Sequence, residues 1–123
     1  GEISRIMLAF KTVIGDYDDI PTMVFDEIDS GISGATASVV GKKLMELGEK
    51  HQIISITHLP QIAACGDHNF RIEKKSSDTE TFTTIKHLSE KEKVNEIARL
   101  LSGSNVSDLS VKSAKELIEL SQG

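Results

Sequence analysis

A chain of 123 residues, 38% hydrophobic and only 4% aromatic, is one domain's worth of polypeptide with a modest core. Its formal charge of −5, from 14 basic against 19 acidic residues, argues against a nucleic-acid track of its own, and the pairs Lys42-Lys43 and Lys74-Lys75 read as solvated faces. A single cysteine, Cys65, excludes an internal disulfide; no apolar run approaches membrane-spanning length and no leader is in view, so a reducing cytoplasm and no membrane partner are expected.

The first residues, Gly1-Glu2-Ile3-Ser4-Arg5, open a predicted helix. Its apolar positions Ile3, Ile6, Met7, Phe10, Val13 and Ile14 share one face, and Gly15 is its stop. A glycine just before a helix lets backbone N–H groups approach a phosphate, which the helix dipole favours. Asp16-Tyr17-Asp18-Asp19 then reads as a solvated turn. Thr22-Met23-Val24-Phe25 is a short apolar run of strand character, expected to be buried on both faces, and it ends in the adjacent carboxylates Asp26 and Glu27. Two acids at the mouth of a parallel sheet suit a Mg²⁺-nucleotide site, where one holds the metal through its water shell and the other orients an attacking water. A strand running out into solvent would leave the same pair as ordinary loop acids, and the run alone leaves both readings open.

Ser33 is the predicted N-cap of a helix from Ala35 to Lys50, with Ala35, Val39, Val40, Leu44 and Leu47 near helical spacing. His51 to His58 is a second β-branched run, ending in the polar pair Thr57 and His58. Strand, helix and strand at these lengths form a right-handed crossover, so the two strands run parallel and their C-terminal ends share an edge. Asp26, Glu27 and His58 are thereby expected in one crevice, where ligands of open α/β sheets sit; a histidine at a strand end is also commonly a hydrogen-bonded structural residue.

Pro60 opens and Gly66 closes a short helix in which Cys65 reads as a small buried hydrophobe. His68 to Lys74 and Glu80 to His87 form a predicted β-hairpin, with a bulge expected because Phe82 and Ile85 cannot both face one side of a regular strand. Ser89-x-x-Glu92 is a capping box for a helix carrying Val94, Ile97, Ala98 and Leu101 and ended by Gly103. A last helix from about Ser107 to Gln122 puts Val111, Ala114, Leu117 and Ile118 on one stripe, and His51, His68 and His87 lack metal-ligand spacing.

Together these pieces resemble the C-terminal half of an ABC-type ATPase head. Gly1-Glu2-x-x-Arg5 is similar to the tail of the signature motif, whose Leu-Ser-Gly part would lie just upstream. Thr22 to Glu27 resembles Walker B, Ser30-Gly31-Ile32-Ser33-Gly34 sits where the D-loop follows it, and His58 matches the switch histidine. Within that superfamily, Asp26-Glu27-Ile28-Asp29-Ser30-Gly31-Ile32-Ser33-Gly34 and Ile56-Thr57-His58-Leu59-Pro60-Gln61-Ile62-Ala63 look most like the RecN family of bacterial SMC-like DNA repair proteins. The likeness runs from end to end and includes Asn95 to Gly103, although its specific motifs stop near Ala64.

The resemblance implies an α/β fold: the C-terminal lobe of an ABC/SMC-type ATPase head, a single-domain fragment over 1–123 with a mainly parallel sheet flanked by helices, a β-hairpin and two C-terminal helices. It implies ATP and Mg²⁺, with Asp26 holding the metal through water, Glu27 orienting or deprotonating the attacking water, and His58 donating to the γ-phosphate. Gly1 and Glu2 would face nucleotide bound by a second head, with Asp29 and Ser30 at the same interface, in an ATP-dependent head-to-head homodimer. Arg5 is expected to tie the signature helix to a nearby acid. No Gly-x-x-x-x-Gly-Lys-Ser/Thr is present and the chain opens mid-motif without methionine, so an N-terminal Walker A half of the same protein is the expected partner and the fragment alone is expected to be inactive. DNA would be reached through the full-length protein, in the bacterial cytoplasm at the nucleoid. Two rivals stay open: a helicase lobe, since Asp26-Glu27-Ile28-Asp29 resembles the Asp-Glu-x-Asp box and Ser55-Ile56-Thr57 a later helicase motif, and a non-catalytic interaction module that kept the fold.

Overall fold

The computed structural model describes Arg5, Leu8, Ala9 and residues 21–122. Arg5, Leu8 and Ala9 are helical, as the N-terminal pattern predicts; the rest of that helix and the acidic turn at 16–19 lie outside the described residues.

Strand β1 (Thr22–Asp26) and strand β2 (Gln52–Ile56) pair in parallel, in register from Thr22 opposite Gln52 to Asp26 opposite Ile56. Helix α1 (Gly34–Gly48) connects them, and Ser33 caps it by accepting from the Thr36 N–H at 3.4 Å. Its buried stripe is Ala37, Val40, Gly41, Leu44 and Leu47, a 3–4 spacing that turns Val39 and Ala35 outward instead of into the core. Met23 and Phe25 of β1 pack with Leu8, Ile28, Ala37, Val40, Leu44, Leu47 and Ile62 in one apolar cluster.

Burial of β1 on both faces is not observed. Met23 and Phe25 are buried while Val24 is 63% exposed, and its neighbours on the same face, Ile54 and Ile56, are 46% and 44% exposed. The alternation follows from the pleat: α1 covers one face of the sheet, and nothing among the described residues covers the other.

Helix α2 (Pro60–Ala63) is a single turn with proline at its first position. It lies so close to α1 that a Cβ on Gly41 would stand 2.8 Å from Cys65 Sγ and 3.3 Å from the Gln61 carbonyl, which is why that helical position carries glycine. Cys65 is half-buried and donates to the Gln61 carbonyl at 3.4 Å; burial pushes its thiol pKa up, which agrees with an inert packing residue.

Strands β3 (Phe70–Ser76) and β4 (Thr81–His87) form an antiparallel hairpin. The described residues thus hold a two-stranded parallel sheet, β1 and β2, and beside it a separate antiparallel hairpin. The expected bulge is absent: the register is unbroken from Phe70 opposite His87 to Ser76 opposite Thr81. Phe82 and Ile85 simply occupy opposite faces, and both stay exposed.

Helix α3 (Glu90–Ser102) and helix α4 (Asp108–Gln122) pack on each other and on α2 through Ala64, Ile97, Ala98 and Ala114. Ser89 and Glu92 make the predicted capping box, and Gly103 closes α3 with φ 76° while its N–H reaches the Arg99 carbonyl at 2.8 Å. Leu101, expected on the buried stripe, is 40% exposed at the end of the helix. Lys93, only 6% exposed, ties α3 to the end of the α2 segment by donating to the Gly66 carbonyl at 2.7 Å. The hairpin meets α3 through its charged side: Arg71 faces Glu96 at 3.7 Å and Lys86 pairs with Glu92.

Candidate nucleotide site

The register of β1 and β2 decides which side chains can meet. Asp26 is opposite Ile56, so Glu27 and His58 leave the two strands at the same C-terminal edge, as the sequence predicts. Asp26, Glu27 and His58 are all exposed there. Glu27 has φ 55°, the sole left-handed non-glycine residue among those described. A side chain in that region costs roughly 1–2 kcal/mol and persists where the surroundings impose it, which is commonest at functional sites. The chain then turns through Glu27 to Ser30, with the Ser30 N–H on the Glu27 carbonyl at 3.1 Å, and Gly31 takes φ 72°.

That turn also carries Asp29, expected beside Ser30 at an interface between heads, and its contacts within the chain are ones the sequence did not disclose. Asp29 is 3% exposed, and its Oδ2 accepts from Thr57 Oγ1 at 2.5 Å and from the His58 backbone N–H at 2.8 Å; His58 Nδ1 lies 3.0 Å away. Burial alone would raise its pKa, but the hydrogen bonds from Thr57 and His58 outweigh it and hold the carboxyl below its ordinary range. The carboxylate thus faces inward, onto the end of β2, and not outward beside the exposed Ser30. Signals were present in the third acid of Asp26-Glu27-Ile28-Asp29 and in the polar pair ending β2, but only the crossover brings them together.

Arg5 grips the same turn from the other side. Its Nη1 donates to the Ser30 carbonyl at 2.6 Å and to the Ile28 carbonyl at 3.3 Å, so it is tied to backbone oxygens of that turn. Gly1 and Glu2 lie outside the described residues.

Mg²⁺ keeps several waters and needs only one or two carboxylates when phosphate oxygens supply the other ligands. An exposed Asp26 at the strand mouth fits that donor set, and among the described residues no group of three or more His, Cys, Asp or Glu side chains could form an all-protein metal cage. No helix among the described residues is long and apolar enough to cross a membrane.

A solved chain from work on ATP-driven dimerization and DNA-stimulated activation of SMC ATPases superposes with a TM-score of 0.59 at 23% identity, covering 85% of this chain and 63% of that one. This chain shares the α/β fold of that SMC ATPase chain over the matched region. No protein-family profile matches the chain. Curated relatives do: the DNA repair protein RecN of Haemophilus influenzae is 48% identical over 120 residues (98% of this chain), that of Vibrio cholerae 43% over 118 (96%), and that of Bacillus subtilis 42% over 119 (97%). The chain is similar to these RecN proteins over nearly its whole length, and it spans about a fifth of theirs, 21–22%.

Proposed function

We propose that this chain supplies one half of the ATP site of a RecN-type SMC ATPase acting in bacterial DNA repair, with the Walker A half contributed by the N-terminal part of the same protein. The observation that carries this reading is the shared edge at which Asp26, Glu27 and His58 leave two parallel strands, with Glu27 held in a left-handed conformation. Bound Mg²⁺ would neutralise charge on the nucleotide phosphates. Asp26 is the residue that would hold that ion. Glu27, next along the chain, orients and deprotonates the water that attacks the γ-phosphate, and His58 donates to that phosphate from the adjacent strand end.

Ser30, on the exposed side of the turn, joins Gly1 and Glu2 at a head-to-head interface, so that each nucleotide is closed in by the signature-like segment of a second copy. The N-terminal half covers Val24, Ile54 and Ile56, since a parallel sheet requires a layer on each face. DNA is met by the complete protein, because this lobe carries net negative charge. The protein works in the bacterial cytoplasm, on the nucleoid.

The test is ATP hydrolysis by this chain alone and after assembly with the N-terminal half, with Glu27→Gln as control. Turnover is expected only on assembly; Glu27→Gln should keep ATP-driven pairing and lose turnover by at least about a hundredfold. Normal turnover in Glu27→Gln would remove Glu27 as the base, and no nucleotide binding after assembly would leave a non-catalytic interaction module as the better reading.

A further inference from the structure

Asp29 differs from the other carboxylates of the site: it is the one buried carboxylate among the described residues, and its contacts reach a residue of the proposed site. Three donors converge on its Oδ2, and all three belong to Thr57 and His58, which lie 28 and 29 residues further along the chain. We infer that Asp29 is the positioning residue of His58, fixing both the ring's orientation and the nitrogen that faces the nucleotide. This inference rests on the reading of the edge as an ATP site.

The chemistry follows from hydrogen-bond inventories. An ionised carboxylate only accepts, so the Nδ1 atom 3.0 Å from Oδ2 carries the proton. Nε2 is then the ring's outward atom, and it is the nitrogen turned toward the phosphate while Nδ1 stays paired with Asp29. Without Asp29 the ring is free to swing or to take the other tautomer, because the His58 side chain is 75% exposed and Asp29 is its polar partner among the described residues. The backbone bond to His58 N and the Thr57 bond place the carboxylate, so that the histidine is aimed by its own strand end.

Arg5 extends the device. It holds the Ile28 and Ser30 carbonyls, one on each side of Asp29, so the helix of Arg5 and the aim of His58 are connected through a single turn. A group acting through another in this way costs on the order of 10–100-fold in activity when removed.

The experiment measures ATP turnover and head pairing in the complete RecN-type protein, with Asp29→Asn, His58→Ala and the double variant, alongside Glu27→Gln. Asp29→Asn should lower kcat on the order of tenfold or more, leave KM for ATP and ATP-driven pairing within about twofold, and cause no further loss in the His58→Ala background. Losses that multiply in the double variant, or a loss confined to KM, would overturn the positioning role. Should Asp29→Asn not fold, Thr57→Val removes one of the three donors and keeps the carboxylate; a fall in kcat that vanishes in the His58→Ala background supports the role, and a fall that persists there refutes it. The Glu27→Gln arm separates the two readings: inactive Glu27→Gln with fully active Asp29→Asn rejects only the role of Asp29, whereas active Glu27→Gln rejects the proposed base itself.

Discussion

Glu27 leaves β1 in a conformation that an L-side chain adopts at a cost of roughly 1–2 kcal/mol, and the turn from Glu27 to Ser30 is what imposes it. Glycine at this position removes that cost but gives back about 0.5–1 kcal/mol through the freedom it adds to the unfolded chain. Glu27→Gly is therefore expected to fold with nearly unchanged stability, whereas β-branched Glu27→Val, a poor fit to positive φ, should lose about 1–2 kcal/mol relative to it. Urea unfolding of the two variants checks this, and equal midpoints would mean that the turn relaxes around the side chain. Both variants should be inactive in the assembled head, so the measurement separates the conformational cost from the chemistry. At this scale, residue type disclosed the acids: Asp26-Glu27 after an apolar run was legible, and so was His58. The left-handed φ was not, since a glutamate gives no sign of it, and the inward carboxylate of Asp29 was not, since a third acid in a row of acids reads as surface until β2 is placed beside it.

Among the elements, α3 shows how local sequence fixes an end. Ser89 accepts from the Glu92 N–H at 3.2 Å and Glu92 reaches back to the Ser89 N–H at 3.1 Å, while Lys86 of β4 pairs with the same carboxylate. The Lys86 hydrogen bond, then those of Ser89, lower the Glu92 pKa from its ordinary 4.5 to about 2. A carboxyl with a depressed folded pKa gives stability that is complete above its unfolded value and is lost as protons bind, here between pH 4.5 and about 2. Asp29 acts with the same sign, so the comparison must be between variants. Glu92→Gln keeps the capping geometry and loses the charge: it should be less stable than the parent above pH 4.5 and converge with it near pH 2, and parallel curves across that range would exclude the assignment. Because Glu92 and Lys86 are exposed, raising the salt concentration should narrow the gap. Ser89→Ala removes the cap itself and should cost about 1 kcal/mol at any pH. The capping box, the glycine stop and the Ser33 cap were all legible, because caps are short-range chemistry. The hairpin was legible in extent but not in regularity: the expected bulge assumed that Phe82 and Ile85 share a buried face, and the hairpin has no such requirement, since its contact with α3 is made by Arg71 and Lys86.

For the molecule as a whole, the sheet of β1 and β2 is covered on one face only by the described residues. The crossover from β1 to β2 was legible from two β-branched runs around a helix of the right length, and so was the meeting of their ends. The exposure of Val24, Ile54 and Ile56 was not, because an apolar run looks the same whether or not the layer that covers it is present. Charge placed on that face distinguishes an ordinary surface from a docking face. Val24→Lys replaces a side chain that is 63% exposed, so within this chain alone it should change unfolding stability by no more than about 0.5 kcal/mol. In the assembled head the same lysine would lie between the sheet and its second layer, where an unpaired buried charge costs several kcal/mol. Val24→Lys should therefore leave this chain folded, reduce its self-association at high concentration, and abolish assembly with the N-terminal half and the turnover that depends on it. Size-exclusion chromatography of the chain alone and of the mixture reads all of these at once. Assembly that proceeds normally with Val24→Lys would show that the N-terminal half docks elsewhere, and the edge bearing Asp26, Glu27 and His58 would then have to receive its Walker A loop from another direction.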